Sequence, residues 1–508
     1  MLLAACRYGK ISAMSYLRRV LFYVFLGLYF IFCPLTILYA LGYIFKPGSE
    51  QGLVRTGIIY ISTAPPGASI YLGNRRFTRK TPAILRDLLP DNYSVTVYLK
   101  NHRTWAQTVP VEGEKATVLE RILLFPDQWQ SEQLVDGTFE DLIPIDGSRT
   151  FLLAKGETLA DIFIYDWQDE KLRPLVSKNT PYRNAAVRSY RTIAKSSHLL
   201  FRIEDGNGGK FLWVESDAKE STPMDLTPFF SPEGTRPEGP EQIRWDPSKE
   251  NRLFSFSNGR LEWVDTGTKP PKQQLFQGVR GYGLYEKMIY VLKDDGTFVR
   301  MNHNGEGEEA LLGDPALGRS LFGEKGFFDV TVFSKDIILF LGQKGELLAN
   351  RLPYRFVDEG VKGLRFYPKQ EKVLVWTDDK IGVLDFSKEH EDEKVFERGP
   401  KLFWVFKKGK KIEQAFWVYE GSHVLFRDDR TVYLLELETY DKPHLYELTK
   451  VRKKSSVFYS EDSGKLYYLD PEAEALSSLE ILPRRDLLLL PFPERKEKRK
   501  ASAIEELS

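Results

Sequence analysis

The sequence predicts an all-β protein: a small antiparallel sandwich and a seven- or eight-bladed β-propeller, behind one N-terminal transmembrane helix. Three observations predict it. An uncharged apolar run occupies residues 20–45, and short strands with frequent turn residues fill residues 57–125. From about residue 135 to 480 a loose strand repeat recurs every ~35–50 residues, the period of four-stranded propeller blades.

Composition sets the outer limits. The chain has 508 residues, enough for more than one core, with 42% hydrophobic and 28% charged residues, the balance of a folded protein. Aromatic residues reach 13%, and flat rings pack well on a half-buried pleated surface. A formal net charge of +1 gives no global electrostatic ground for nucleic acid, and no nucleic-acid partner is expected. The two cysteines, Cys6 and Cys33, both lie in the N-terminal region. The rest of the chain therefore holds neither a disulfide framework nor a cysteine-based metal site.

The first element is the apolar run Val20–Phe45, 26 residues without a charge. At ~1.5 Å per residue it predicts ~39 Å of helix, enough to cross a ~30 Å hydrocarbon core with tilt. Pro34 removes one helical hydrogen bond and is expected to kink the span. Arg7, Lys10, Arg18 and Arg19 precede it, whereas only Lys46 and Arg55 follow closely. The positive-inside rule then places residues 1–19 in the cytoplasm and everything beyond the span outside a plasma or inner membrane. The alternative is a cleaved signal peptide, but its apolar core should be ~7–15 residues and end at small residues. Lys46-Pro47-Gly48 is not such an end. Leu3-Ala4-Ala5-Cys6 has the form of a lipidation box, yet no basic or apolar stretch precedes it, so it reads as coincidence. Met14 is an alternative start, leaving MSYLRR before the anchor.

The second element is the small domain. Gly57–Thr63 reads as a strand, broken by Ala64-Pro65-Pro66-Gly67-Ala68, and Ser69–Leu72 as a second strand ended by the turn pair Gly73-Asn74. Thr81–Ile84, Ser94–Leu99, Ala106–Val111 and Ala116–Leu124 follow, with Leu88–Tyr93 between them. Short strands with this spacing predict an antiparallel sandwich.

These residues resemble the PEGA domain, whose pattern runs S-x-x-P-x-G-A, a V-Y-V-D-G hairpin, a T-P step and L-x-P-G-x-Y. Ser62, Pro65, Gly67, Ala68, Tyr71, Thr81, Pro82, Leu88, Pro90 and Tyr93 stand where the pattern asks. Pro66 replaces the eponymous Glu, Gly73-Asn74 replaces Asp-Gly, and Asp91 replaces a turn Gly. Asp and Asn tolerate turn geometry, so the backbone logic survives. The resemblance covers about 65 residues. It implies a non-catalytic contact module of a bacterial or archaeal cell envelope, with Tyr71, Leu88 and Tyr93 filling its core. It assigns no binding residues.

The third element is the propeller. Ile243–Pro247 with Arg252–Phe256 and Arg260–Asp265 sets the repeat, and Leu364–Pro368 with Lys372–Thr377 and Ile381–Phe386 follows it closely. So does Ala415–Tyr419 with His423–Asp428 and Thr431–Leu437. Weaker copies lie at Thr150–Trp167, Tyr190–Glu215, Gly281–Met301, Phe327–Asn350 and Val457–Asp470. The pattern resembles TolB-like and WD40-like propellers, without a G-H…W-D signature. An array of β-sandwiches is the alternative. The tail 494–508, with its ERKEKRK run, is expected to be disordered.

No catalytic, cofactor-binding or metal-ligating residue emerges, and binding residues stay unassigned. The six histidines, His102, His198, His303, His390, His423 and His444, form no i, i+4 pair, and H-E-x-x-H is absent. Glu204–Gly209 superficially suggests calcium but lacks the spaced carboxylates of an EF-hand loop, and Asp-Gly and Asn-Gly suit a hairpin turn. Asp294-Asp295, Asp378-Asp379 and Asp428-Asp429 occupy comparable turns and read as solvated turn residues. Lys407-Lys408-Gly409-Lys410-Lys411 reads as an exposed basic hairpin.

The expected function is therefore a non-enzymatic, membrane-anchored envelope protein offering a binding or scaffold surface. Its partners would be the bilayer, through residues 20–45, and an envelope protein or cell-wall glycan. The competing expectation is a propeller enzyme acting on envelope polysaccharide, which needs an acid and a base ~5–9.5 Å apart.

Overall fold

The computed structural model describes residues 5–40, 42–45, 52–145, 147–192, 198–205, 208–216, 222–230, 242–249, 251–267, 272–387, 399–437 and 440–482. The charged tail 494–508, Leu3-Ala4, His390 and the Lys46-Pro47-Gly48 junction lie outside them. Two compact units divide the chain, one reaching Gln128 and one running from Trp129 to Leu482 apart from a short segment at 439–442.

The first unit begins with helix α1, Ala5–Ala40, which carries Pro34 within it. Its Val20–Ala40 portion, 21 residues, is long and apolar enough to cross a membrane, and none of it is buried. The helix stops five residues short of the predicted end at Phe45, because Gly42 takes φ +79° and its N–H turns back to the Tyr39 carbonyl at 3.0 Å. Tyr43–Phe45 (β1) instead pairs antiparallel with Leu53–Arg55 (β2). An unbroken apolar run does not by itself separate helix from strand.

Residues 57–123 form two packed sheets. One holds β6 (Ala83–Leu88), β3 (Gly57–Ala64) and β9 (Ala116–Leu123); the other holds β5 (Arg75–Lys80), β4 (Ser69–Leu72), β7 (Asp91–Tyr98) and β8 (Trp105–Val111). The sandwich is not wholly antiparallel: β3 and β9 run parallel, Ile58 facing Ala116 and Ala64 facing Leu123. Alternation sends Ile59, Ile61, Ile70, Val95, Val97 and Val109 inward, each fully buried. The same period corrects the expectation for Tyr71. Ile70 and Leu72 enter the core, while Tyr71 between them is only half-buried; Leu88 is buried, and Tyr93 packs against the core.

Strand β5, Arg-Arg-Phe-Thr-Arg-Lys, was not foreseen. It lacks apolar alternation and forms because the Gly73-Asn74 turn folds it back on β4, with Leu72 facing Arg75.

The second unit contains eight four-stranded antiparallel sheets, which settles the blade count among the described residues. Blades 1–7 follow the chain, their first strands opening at Asp141, Ala186, Gln242, Val279, Phe328, Gly363 and Ile412. Blade 8 takes Phe458–Ser460, Lys465–Asp470 and Ala475–Glu480 from the end of the unit and Ser131–Asp136 from its start. Early and late strands thus close one ring, Ser131 pairing with Leu479. An array of separate sandwiches would not share a sheet in this way.

Hydrophobic packing runs between blades. Leu142, Phe151, Leu153 and Tyr165 of blade 1 meet Phe458, Tyr467 and Leu469 of blade 8, while Ile143, Leu152 and Ile164 on the opposite face meet Phe201 and Leu212 of blade 2. Both faces of each sheet are therefore apolar, as stacked blades require.

Candidate functional site

In a four-stranded antiparallel blade, the turns between first and second strands share one end of the ring with those between third and fourth. The turns between second and third strands share the other end with the connections to the next blade. All the acid pairs read from the sequence fall at this second end.

At least one acid of each pair is engaged by neighbouring groups. Asp295 Oδ1 accepts from Thr297 N at 2.8 Å and Thr297 Oγ1 at 2.7 Å, and these bonds hold its carboxyl below the usual carboxylate range. Asp379 Oδ1 accepts from Thr377 Oγ1 at 2.8 Å, and Asp378 lies 3.4 Å from Lys362 Nζ. Asp428 Oδ1 accepts from the backbone of Lys410 at 3.0 Å and Lys411 at 2.6 Å. Asp205 faces Gly208 across its turn and pairs with Lys210 at 3.4 Å; Gly206 and Asn207 lie outside the described residues. Among the described residues, no group of three or more His, Cys, Asp or Glu side chains is placed to hold a metal ion.

The five described histidines are engaged in local contacts. His423 is buried at the start of a strand of blade 7, its Nδ1 2.8 Å from Ser422 Oγ. Across that strand pair it faces Glu436, whose carboxylate meets His444 Nδ1 at 2.6 Å.

His303 belongs to a buried cluster that no sequence pattern announced. Its Nδ1 lies 3.0 Å from Asp246 Oδ1 and 3.0 Å from Ser248 Oγ. Asp246 Oδ1 also accepts from Ser248 N and Ser248 Oγ, each at 2.7 Å. Arg252 donates to Asn304 Oδ1 at 3.3 Å, and its guanidinium stacks 4.7 Å from the Trp263 ring. Burial pushes the Asp246 carboxyl up, but the bonds from His303 and Ser248 outweigh it and hold the group below its ordinary value. The cluster ties the first turn of blade 3 to the third turn of blade 4.

Ser248 also reaches a recess at that end of the ring. The recess has a volume of about 670 Å³ and is lined by Pro247, Ser248, Glu286, Lys287, Met288, Arg300 and Lys335. Three of the lining side chains are cationic against one carboxylate, although Arg300 is paired with Glu309. Such a lining suits a small anion or an acidic side chain. The sequence could not announce it, because its residues come from three different blades, 3, 4 and 5.

In the small domain the motif residues do structural work. Thr81 Oγ1 accepts from Ala68 N at 3.0 Å and lies 2.6 Å from Thr63 Oγ1, both threonines being buried. Gly67 holds φ +88° and donates to the Thr81 carbonyl at 2.8 Å, which fixes the turn between the sheets. Tyr93 OH donates to the Leu89 carbonyl at 3.0 Å. Residues 56–123 match the PEGA domain.

A comparison with curated proteins finds no match. Among solved structures, the chain is similar to the computationally designed Ika8 protein at 13% identity and TM-score 0.41, covering 70% of this chain and 98% of that one. It is similar to the beta-propeller domain of Myceliophteria thermophila Cps50 (Swd1) at 11% identity and TM-score 0.37, over 69% and 99% of the two chains. Kluyveromyces lactis Hsv2 is 10% identical, with TM-score 0.37 over 61% and 98%. The propeller described above rests on its own strand order and not on these likenesses.

Proposed function

We propose that this is a membrane-anchored protein of the cell envelope whose PEGA domain and propeller together offer a non-enzymatic binding or scaffold surface. The observation that carries the reading is the order of parts: an unburied apolar stretch, Val20–Ala40, followed sixteen residues later by a PEGA domain match at 56–123. At ~1.5 Å per residue the 21-residue stretch spans ~32 Å, close to a ~30 Å hydrocarbon core. Basic residues before it favour a cytoplasmic N-terminus and external domains.

A non-enzymatic role is supported by the fate of the titratable groups. Asp295 and Asp379 bond within their own turns, Asp428 holds the loop 407–411, and Asp246, Ser248 and His303 join two blades. The partner in this reading is an envelope protein or wall polymer held against the propeller.

Two measurements test it. Full-length protein should stay in the membrane pellet after alkaline carbonate washing, and protease added to cells stripped of wall and any outer membrane should degrade the propeller. Detergent-solubilised full chain should also co-sediment saturably with isolated envelope. Release by carbonate, or protection from external protease, would refute the anchored topology; no co-sedimentation would refute the binding role.

A further inference from the structure

At the end of the ring that carries the acid turns, three loops of blades 6–8 are tied into one surface. Gly409 N and Ile412 N donate to the carbonyls of Asp379 and Asp378, each at 2.9 Å. Asp429 N donates to the Lys411 carbonyl at 3.0 Å, and Val451 N to the Arg430 carbonyl at 2.7 Å. Arg452 Nη1 then reaches the Phe139 carbonyl at 2.6 Å, and Ser456 N reaches Asp141 Oδ1 at 3.2 Å. Loops 407–411, 428–430 and 451–456 are therefore held by backbone bonds and do not stand free.

Their charge is one-sided. The three loops carry eight cations, Lys407, Lys408, Lys410, Lys411, Arg430, Arg452, Lys453 and Lys454, against Asp428, Asp429 and the adjoining Glu413, which pairs with Lys411 at 2.7 Å, a local excess of five positive charges in a chain whose total is +1. Asp428 is committed to the backbone of the first loop. Lys407, Lys408, Lys410, Arg430, Lys453 and Lys454 are exposed. Among the described residues, none of these six side chains has a carboxylate within 4.0 Å or a hydrogen bond. Like charges held together in such excess raise the local potential, and an opposite polymer relieves it by releasing its own condensed ions.

The surroundings narrow the ligand. The loops contain no aromatic residue on which a sugar ring or base could stack, and their only large aliphatic, Val451, is buried. A bilayer contact would want apolar side chains to insert, and none is offered. Lysine acts as a point charge, a mode that suits phosphate, whereas planar carboxylates favour the arginine fork.

We propose that this face binds a linear polymer of phosphate groups, recognised by its charge density. The assignment rests on the wider reading of the propeller as a binding surface and names its ligand class.

The test uses the full chain in detergent and long-chain inorganic polyphosphate as the probe. Saturable binding is expected, weakening on the order of a thousandfold between ~50 and ~200 mM salt for about six phosphate contacts. The variant K407E/K408E/K453E/K454E should bind at least ~10-fold more weakly. A charge-matched variant, K171E/K178E/K325E/K369E, should bind nearly as the parent does. Equal losses in both variants would reduce the effect to net charge and overturn the assignment. Undiminished binding by the first variant would also overturn it, as would tighter binding to phosphatidylglycerol vesicles or to oligothymidylate than to polyphosphate. In all these cases, continued co-sedimentation of the parent with envelope leaves the wider reading standing. Its loss in the parent removes that reading instead.

Discussion

Ser131 and Tyr468 stand 337 positions apart in the chain, and their hydroxyls share a hydrogen bond of 2.8 Å. The bond lies where Ser131–Asp136 completes the sheet of blade 8, so the ring is closed by the two ends of its own sequence. Without that strand, Ala475–Glu480 would present an unpaired edge beside a large apolar core. A chain starting at residue 129 should unfold in one cooperative transition, while one starting at 138 should lose cooperativity and self-associate. Calorimetry and size-exclusion chromatography would check this, and identical melting of the two chains would show that the closing strand adds nothing.

Gly281 and Gly283 let the inner strands of blades 4 and 5 touch. A Cβ at Gly281 would stand 2.3 Å from the Phe328 carbonyl oxygen, and one at Gly283 would stand 2.8 Å from that of Val330. Backbone oxygens do not step aside as a flexible side chain would. Gly281→Val should cost roughly 1–3 kcal/mol, read as a lower urea midpoint at unchanged slope. An unchanged midpoint would mean that the blades can part freely.

The inner three strands of blades 2–7 were legible because both faces bury apolar side chains in alternation, whereas Asp141–Pro144 of blade 1 and Ala475–Glu480 of blade 8 fell outside the repeats read from the sequence. The fourth strands were not. The register shifts between the third and fourth strands of blades 3, 4, 5, 6 and 7, and a bulge breaks the period that makes a strand readable. The closing strand, Ser131–Asp136, is largely exposed and draws its identity from a partner more than 300 residues away. The cationic face was half legible: Lys407–Lys411 stands out in the sequence, but Arg430, Lys453 and Lys454 join it only through ring order. His303 gave no signal, since its partners Asp246 and Ser248 sit in the preceding blade.

Arg280 joins a blade to the helix that follows it. Its guanidinium donates to the carbonyls of Phe322, Gly323 and Gly326 at 2.8, 2.7 and 3.0 Å, capping the helix Pro315–Phe322. Burial lowers its pKa from the ordinary arginine value, although the group stays cationic at any physiological pH. Arg280→Met keeps much of the packing but leaves three carbonyls without their donor, at a cost of ~2–4 kcal/mol. Arg280→Lys should recover only part of this, because one ammonium cannot reach all three. Equal stability of the Met and Lys variants would contradict the capping role.

Thr81 is the buried polar tie of the small domain. Thr81→Val preserves shape but removes the acceptor for Ala68 N and the partner of Thr63 Oγ1, both buried. The expected cost is ~1–3 kcal/mol. Amide exchange at Ala68 would report it: faster exchange in the variant is expected, and an unchanged rate would mean that another group satisfies the amide.

Asp246 supplies a pH dependence whose sign is fixed by its contacts. Its carboxyl is held below the ordinary 3.8 because hydrogen bonds from His303 and Ser248 outweigh the penalty of burial. The ionised form is therefore the stabilising one. That stability is complete above 3.8 and is lost as pH falls below it through the depressed folded-state value. Asp246→Asn cannot ionise, so it should be the less stable protein by ~1–3 kcal/mol at about pH 5, where the wild-type bond is charge-assisted. The gap should narrow as pH is lowered toward about 2.5, because protonation then removes the wild-type advantage. Urea midpoints measured across that range would show the convergence. A gap that stays constant would mean that Asp246 is neutral in the folded protein and that its bonds to His303 and Ser248 gain nothing from charge.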